Sequence, residues 1–273
     1  MLIRYTTHAT NPYQQRNAMK IARFLYKRKE HFGIVEGDHV QTAEGEMFGA
    51  FHQTRQGYSL AEVKILPPVM PSKIVAIGLN YKDHAEEVKI ALPDEPLIFL
   101  KPGSAVIGHL DHIIYPPMSH RVDFEGELGI VIKKLAKGVP EEKADKFILG
   151  YTCFNDVTAR DLQGKDGQWT RSKSFDTFAP LGPWIETEID PAHLQLETFL
   201  NGERKQSSNT SHLIFTPRQL VSFISRIMTL YPGDCIATGT PSGIGPMNVG
   251  DTVEVRIAGI GSLVNVVATP NAG

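Results

Sequence analysis

The sequence predicts an α+β chain that is mainly β, with a few helices and a small N-terminal β domain ahead of a larger one. Two observations carry this reading. Short apolar runs recur along the chain, each closed by Gly, Pro or Asp clusters such as Glu36-Gly37-Asp38, Pro232-Gly233-Asp234 and Val249-Gly250-Asp251. Only 80–87, 157–163 and 216–230 read as helix, too few to wrap a parallel sheet on both faces.

In chain order, residues 1–18 contain no acid and no apolar signal core, and they end just before a second methionine, Met19. They read as an extension: a cloning remnant, an over-extended start, or a weak presequence. From Met19 the text becomes regular. Residues 20–26 alternate, a charged turn follows at 27–30, and 32–35 and Val40 complete a small antiparallel meander. The proline-rich joint Leu66-Pro67-Pro68-Val69-Met70-Pro71 separates domains at 19–70 and 71–273. Beyond it, a buried strand at 73–78 leads into the helix at 80–87. Strands are expected at 97–100, 113–115, 123–132 and 148–155, then the helix at 157–163. Strands at 184–186, 194–200, 235–238, 252–257 and 263–267 follow, interrupted by the amphipathic helix at 216–230.

Composition excludes several functions. A net charge of −2 makes no electrostatic case for nucleic acid or an anionic membrane. No apolar run reaches the roughly 20 residues of a membrane helix. Cys153 and Cys235 lie in apolar stretches without CxxC spacing, and read as buried thiols in a reducing compartment. A cytoplasmic location follows, or an organellar one if the first 18 residues are a presequence.

The most informative stretch is Arg121-Val122-Asp123-Phe124-Glu125-Gly126-Glu127-Leu128. Side chains two apart on a strand share a face, so Asp123, Glu125 and Glu127 line up opposite Val122, Phe124 and Leu128. Gly126 leaves room for close approach by a backbone or a ligand. Crowded carboxylates ionise together only when a proton or a cation sits between them, and hard divalent ions favour such oxygens. A solvated acidic strand face is the other reading of the same pattern.

Four further groups each admit two readings. Asp156, where a strand gives way to a helix, is either an N-cap or a third oxygen ligand beside Glu125 and Glu127. His84 and Glu87 share a helix face, either as exposed polar residues or as an imidazole oriented by a carboxylate to activate water. The segment after them, 89–96, is loop-like and suits a lid. Lys173 holds a carboxylate or, as its surroundings favour, lies on the surface. The loop Thr238-Gly239-Thr240-Pro241-Ser242-Gly243-Ile244-Gly245-Pro246 lacks the P-loop and GxGxxG spacings. It is a plain turn, or a holder of an oxyanion through its amides and the Thr240 hydroxyl.

Seven motifs in order then resemble the fumarylacetoacetate hydrolase family over roughly 71–268. They are Gly78-Leu79-Asn80-Tyr81-Lys82-Asp83-His84-Ala85-Glu86-Glu87, Phe99-Leu100-Lys101-Pro102, Asp123-Phe124-Glu125-Gly126-Glu127-Leu128, Asn155-Asp156-Val157-Thr158-Ala159-Arg160-Asp161, Lys173-Ser174-Phe175-Asp176, Asn201-Gly202-Glu203, and Pro232-Gly233-Asp234 with Thr238-Gly239-Thr240-Pro241-Ser242-Gly243. The resemblance implies a roll of mixed β-sheets, a homodimer, and Mg²⁺ or Mn²⁺ (Ca²⁺ in a crystal) held by Glu125, Glu127 and Asp156. It implies that His84 and Glu87 form a catalytic dyad on a closing lid. Lys173 and Thr240 would meet the substrate's acid end, with Arg160 and Gln163 lining the pocket. The expected substrate is a small 2-oxo acid of acylpyruvate type, cleaved at a C–C bond through an enolate, with hydrolysis favoured by the complete dyad. Oxaloacetate decarboxylation and heptadienedioate-type isomerisation are the alternatives on the same scaffold. A small-acid binder without turnover has no reason to keep three acids and a dyad.

Overall fold

The computed structural model describes residues 18–82 and 92–270. Its strands, in chain order, begin with the meander β1 (Lys20–Tyr26), β2 (Lys29–Glu36), β3 (His39–Gly45), β4 (Phe51–Ser59) and β5 (Lys64–Leu66). Past the proline joint come β6 (Lys73–Gly78), β7 (Leu97–Pro102), β8 (Val106–Ile107), β9 (His112–Ile114), β10 (Val122–Phe124) and β11 (Gly126–Ile132). Then follow β12 (Ile148–Asn155), β13 (Thr158–Ala159), β14 (Ala179–Glu186), β15 (Gln195–Leu200) and β16 (Glu203–Asn209). The last are β17 (Cys235–Ala237), β18 (Gly245–Met247), β19 (Thr252–Ile257) and β20 (Gly261–Ala268). Among the described residues three α-helices interrupt them: α1 (Arg160–Asp166), α2 (Thr170–Lys173) and α3 (Pro217–Ile227).

These strands make three sheets. The largest runs β4-β3-β2-β1-β14-β12-β11-β17-β6-β7, with β5 on β1 and β8 on β14. The meander therefore continues the main sheet, joined where Lys20 and Ile21 pair with Glu186 and Ile185. A five-stranded sheet, β16-β15-β19-β20-β9, packs against it, and a three-stranded one, β13-β10-β18, closes one end. The principal core lies between the large and five-stranded sheets. Leu128, Ile130 and Ile132 from β11 meet Leu196, Val255, Ile257 and Leu263 there. All of β11 is buried, which explains why its text runs apolar instead of alternating.

Helix α3 caps this core by a simple rule. Thr216 and Gln219 form a capping box at its start, and Pro217 opens its first turn. Leu220, Val221 and Ile224 then fall on one fully buried face, each contributing about 1.5–3 kcal/mol by leaving water.

Three expectations need correction. The single strand at 123–132 is two strands: the chain leaves the three-stranded sheet after Phe124 and enters the large one at Gly126. The switch turns Asp123 away from Glu127, and Asp123 instead takes the guanidinium groups of Arg121 and Arg160. The helix expected from Val157 begins at Arg160, because Thr158 and Ala159 first pair with Asp123 and Val122. Asp156 is therefore not its N-cap, a position held by Ala159. Strands β4 and β16 have no counterpart in the sequence reading, since their polar side chains leave no apolar pattern to detect, and the short β5, β8 and β18 have none either. Among the described residues no helix is long and apolar enough to cross a membrane.

Candidate metal and active centre

Glu125, Glu127 and Asp156 converge: oxygens of all three lie within 4.8 Å of one another, and all three residues are buried. Backbone pairing produces this. Glu125 sits at the sheet switch, where its N–H donates to the Asn155 side chain at 2.9 Å and its carbonyl accepts from the Asp156 N–H at 2.8 Å. Glu127 follows on β11, where Gly126 is paired with Asn155, the residue before Asp156. The loop after β17 completes the frame. Gly239 donates its N–H to Glu127 Oε2 at 2.7 Å, in a left-handed conformation (φ +98°) in which an added Cβ would lie 2.8 Å from the Asn80 Cβ.

Three cations surround the acids. Lys173 Nζ lies 2.8 Å from Glu125 Oε2 and 2.6 Å from Asp156 Oδ2. Lys101 Nζ lies 2.5 Å from Asp156 Oδ1, and Arg160 pairs with Glu125 as well as Asp123. The ring of Phe99 faces Lys173 Nζ at 5.1 Å. Gln163 accepts from Arg160 at 2.6 Å and fixes that guanidinium's direction.

The electrostatics divide the acids. Burial alone would raise the Glu125 carboxyl, but Lys173 and Arg160 outweigh it and hold the group well below the usual range. Burial, then the charges of Asp156 and Glu125, push Glu127 well above it. Burial lowers Lys101, with Asp156 opposing, whereas Asp156 and Glu125 outweigh burial and raise Lys173. Among the described residues no cation pairs directly with Glu127. Three hard oxygen donors, one of them without a counter-charge, fit a divalent ion such as Mg²⁺ or Mn²⁺.

The structure thus brings Glu125, Glu127, Asp156, Lys173, Arg160 and Gln163 together. Lys173 is 2% exposed, against the surface position its neighbours suggested. Thr240 is 6% exposed; its hydroxyl donates to the Gly126 carbonyl and accepts from Gln206. His84 and Glu87 lie outside the described residues. Lys101 was missed as a site residue, although a lysine directly after the apolar run Leu97–Leu100 was a usable signal. Gln206 was also missed, and its polar strand offered none.

Comparison with known proteins agrees with this geometry. Residues 73–268 match the model for the fumarylacetoacetate hydrolase C-terminal domain, and 19–68 match an Rv2993c-like N-terminal model. The chain belongs to the fumarylacetoacetate hydrolase family. A 2-hydroxyhepta-2,4-diene-1,7-dioate isomerase from Mycobacterium marinum is 43% identical with a TM-score of 0.87, covering 93% of this chain and 99% of that one. A mitochondrial oxaloacetate tautomerase from Bos taurus, FAHD2B, is 43% identical over 218 residues, 75% of this chain and 69% of that protein. A maleylpyruvate hydrolase from Sphingobium, solved with manganese(II) and pyruvate, is 30% identical with a TM-score of 0.76, covering 92% and 99%. Family members similar to this chain thus include hydrolases, isomerases and a tautomerase.

Proposed function

We propose that the chain is a divalent-metal-dependent enzyme that cleaves a C–C bond of small 2-oxo acids of acylpyruvate type by hydrolysis. The observation that supports it best is the buried convergence of Glu125, Glu127 and Asp156 beside two buried lysines. Those acids would hold Mg²⁺ or Mn²⁺, which when bound supplies Lewis acidity and draws electron density from the carbonyls of a 2-oxo acid.

The chain's own groups do the remainder. Lys173 and Arg160, the latter steadied by Gln163, would offer positive charge to a substrate carboxylate beside buried groups, where such charge acts more strongly than in open water. Thr240 would meet the acid end through capacity its present hydrogen bonds leave over. His84, oriented by Glu87, would take the proton of the attacking water.

A second reading is proton relocation without cleavage, as a tautomerase or isomerase; it is favoured by the reactions named for the bovine and mycobacterial relatives. Oxaloacetate decarboxylation would use the same electron demand. A homodimer is part of the proposal, checked by light scattering.

The deciding experiment assays the Mn²⁺-loaded chain on an acylpyruvate and on oxaloacetate. Hydrolysis predicts turnover of the acylpyruvate, lowered roughly 10²–10⁴-fold by His84→Ala. Rapid keto–enol exchange of oxaloacetate with an intact acylpyruvate would overturn hydrolysis and leave the second reading.

A further inference from the structure

The peptide between two of the acids is held by side chains. Gly126 separates Glu125 from Glu127, at the point where the chain changes sheets. Its N–H donates to Gln206 Oε1 at 3.0 Å, and its carbonyl accepts from the Thr240 hydroxyl at 2.9 Å. The first group belongs to the Glu125–Gly126 peptide and the second to the Gly126–Glu127 peptide. Both links between the acids are therefore pinned.

Gln206 closes the arrangement. Its Nε2 donates to Thr240 Oγ1 at 2.8 Å and to the Pro241 carbonyl at 2.9 Å, so its oxygen and both N–H groups are used. The carbonyl of Pro241 can only accept, which fixes the orientation of the amide. The residue is 1% exposed on β16, a strand whose flanking residues Lys205 and Ser207 are exposed. The same loop is seated directly on that strand: a Cβ at Gly243 would lie 2.3 Å from the Lys205 carbonyl. The loop in turn holds Glu127 through Gly239. One buried amide thus joins the five-stranded sheet to Gly126 and, through Thr240, to the loop that orients Glu127.

We propose that Gln206 is a positioning residue that sets the relative placement of Glu125 and Glu127 and thereby the affinity of the site for a divalent ion. The proposal rests on the metal reading given above. Gln206 acts through Gly126 and Thr240, without touching the ion. Partners of this indirect kind typically change metal affinity by about 10–100-fold when removed.

The test is the affinity of the full chain for Mn²⁺, read as free Mn²⁺ by electron paramagnetic resonance, beside apo thermal unfolding. Gln206→Met removes all three hydrogen bonds at similar length. Gln206→Glu keeps the acceptor for Gly126 and loses the donors to Thr240 and Pro241. The expected result is Mn²⁺ binding at least 10-fold weaker in Gln206→Met, with Gln206→Glu between it and the wild type. Wild-type affinity in both variants, even with a lowered melting temperature, overturns the proposal by leaving only a structural role. If Gln206→Met does not fold, Gln206→Glu decides alone: weakened binding supports the proposal and unchanged binding overturns it. A wild-type chain that binds no Mn²⁺ overturns the metal reading itself, and the proposal with it.

Discussion

Lys101 offers the sharpest test of how the acids are balanced. Its Nζ is fully buried, 2.5 Å from Asp156 Oδ1 and 3.1 Å from the Val157 carbonyl. Lys101→Met keeps a stem of similar length and deletes the charge. Removing one partner of a buried ion pair costs roughly 3–5 kcal/mol, because the other is left uncompensated. Asp156 retains Lys173 at 2.6 Å, so the lower end applies, about 3 kcal/mol. A divalent ion among the three acids would replace the lost charge, so saturating Mn²⁺ should recover much of the difference. Urea unfolding measures this directly, with wild type and variant compared in chelator and in Mn²⁺. A midpoint in chelator equal to wild type would refute the view that Lys101 neutralises Asp156. An equal loss in both conditions would refute the exchange of lysine charge for metal charge.

Other expectations follow from the same geometry. In the metal-free chain the folded state holds the Glu127 proton where the unfolded chain releases it, so that stabilisation is full below the ordinary glutamate value of 4.5 and is lost as pH rises through the raised one. Glu127→Gln should flatten this part of the stability–pH curve, measured in chelator, while abolishing Mn²⁺ binding. At Gly126 an added Cβ would sit 2.1 Å from Thr198 Oγ1, so Gly126→Ala should cost about 1–3 kcal/mol in thermal unfolding, and adding Thr198→Ala should return part of it. Cys153, its thiol pushed up to about 12 by burial, and the equally buried Cys235 should stay unreactive toward a disulfide reagent until the chain unfolds.

The sequence by itself determined the β-rich class and most strand positions, and it offered Asp123, Glu125, Glu127 and Asp156 as candidate acids. Those features are local: side chains two apart share a face, Gly-Asp turns punctuate strands, and the capping box of α3 is written in Thr216 and Gln219. Only the tertiary structure decided which acids meet. Nothing within 123–127 says that the chain changes sheets at Glu125, because that depends on which distant strands compete for pairing: β13 and β18 for Val122–Phe124, β12 and β17 for Gly126–Ile132. The switch gave Asp123 to the arginines and left Glu125 and Glu127 with Asp156. Lys173 looked like a surface lysine among its neighbours, yet it is buried, and the carboxylates of Asp156 and Glu125 outweigh that burial and keep it charged. Gln206 stood unmarked in a polar strand. Its role comes from Gly126, 80 residues away, whose buried N–H donates to the Gln206 side-chain oxygen.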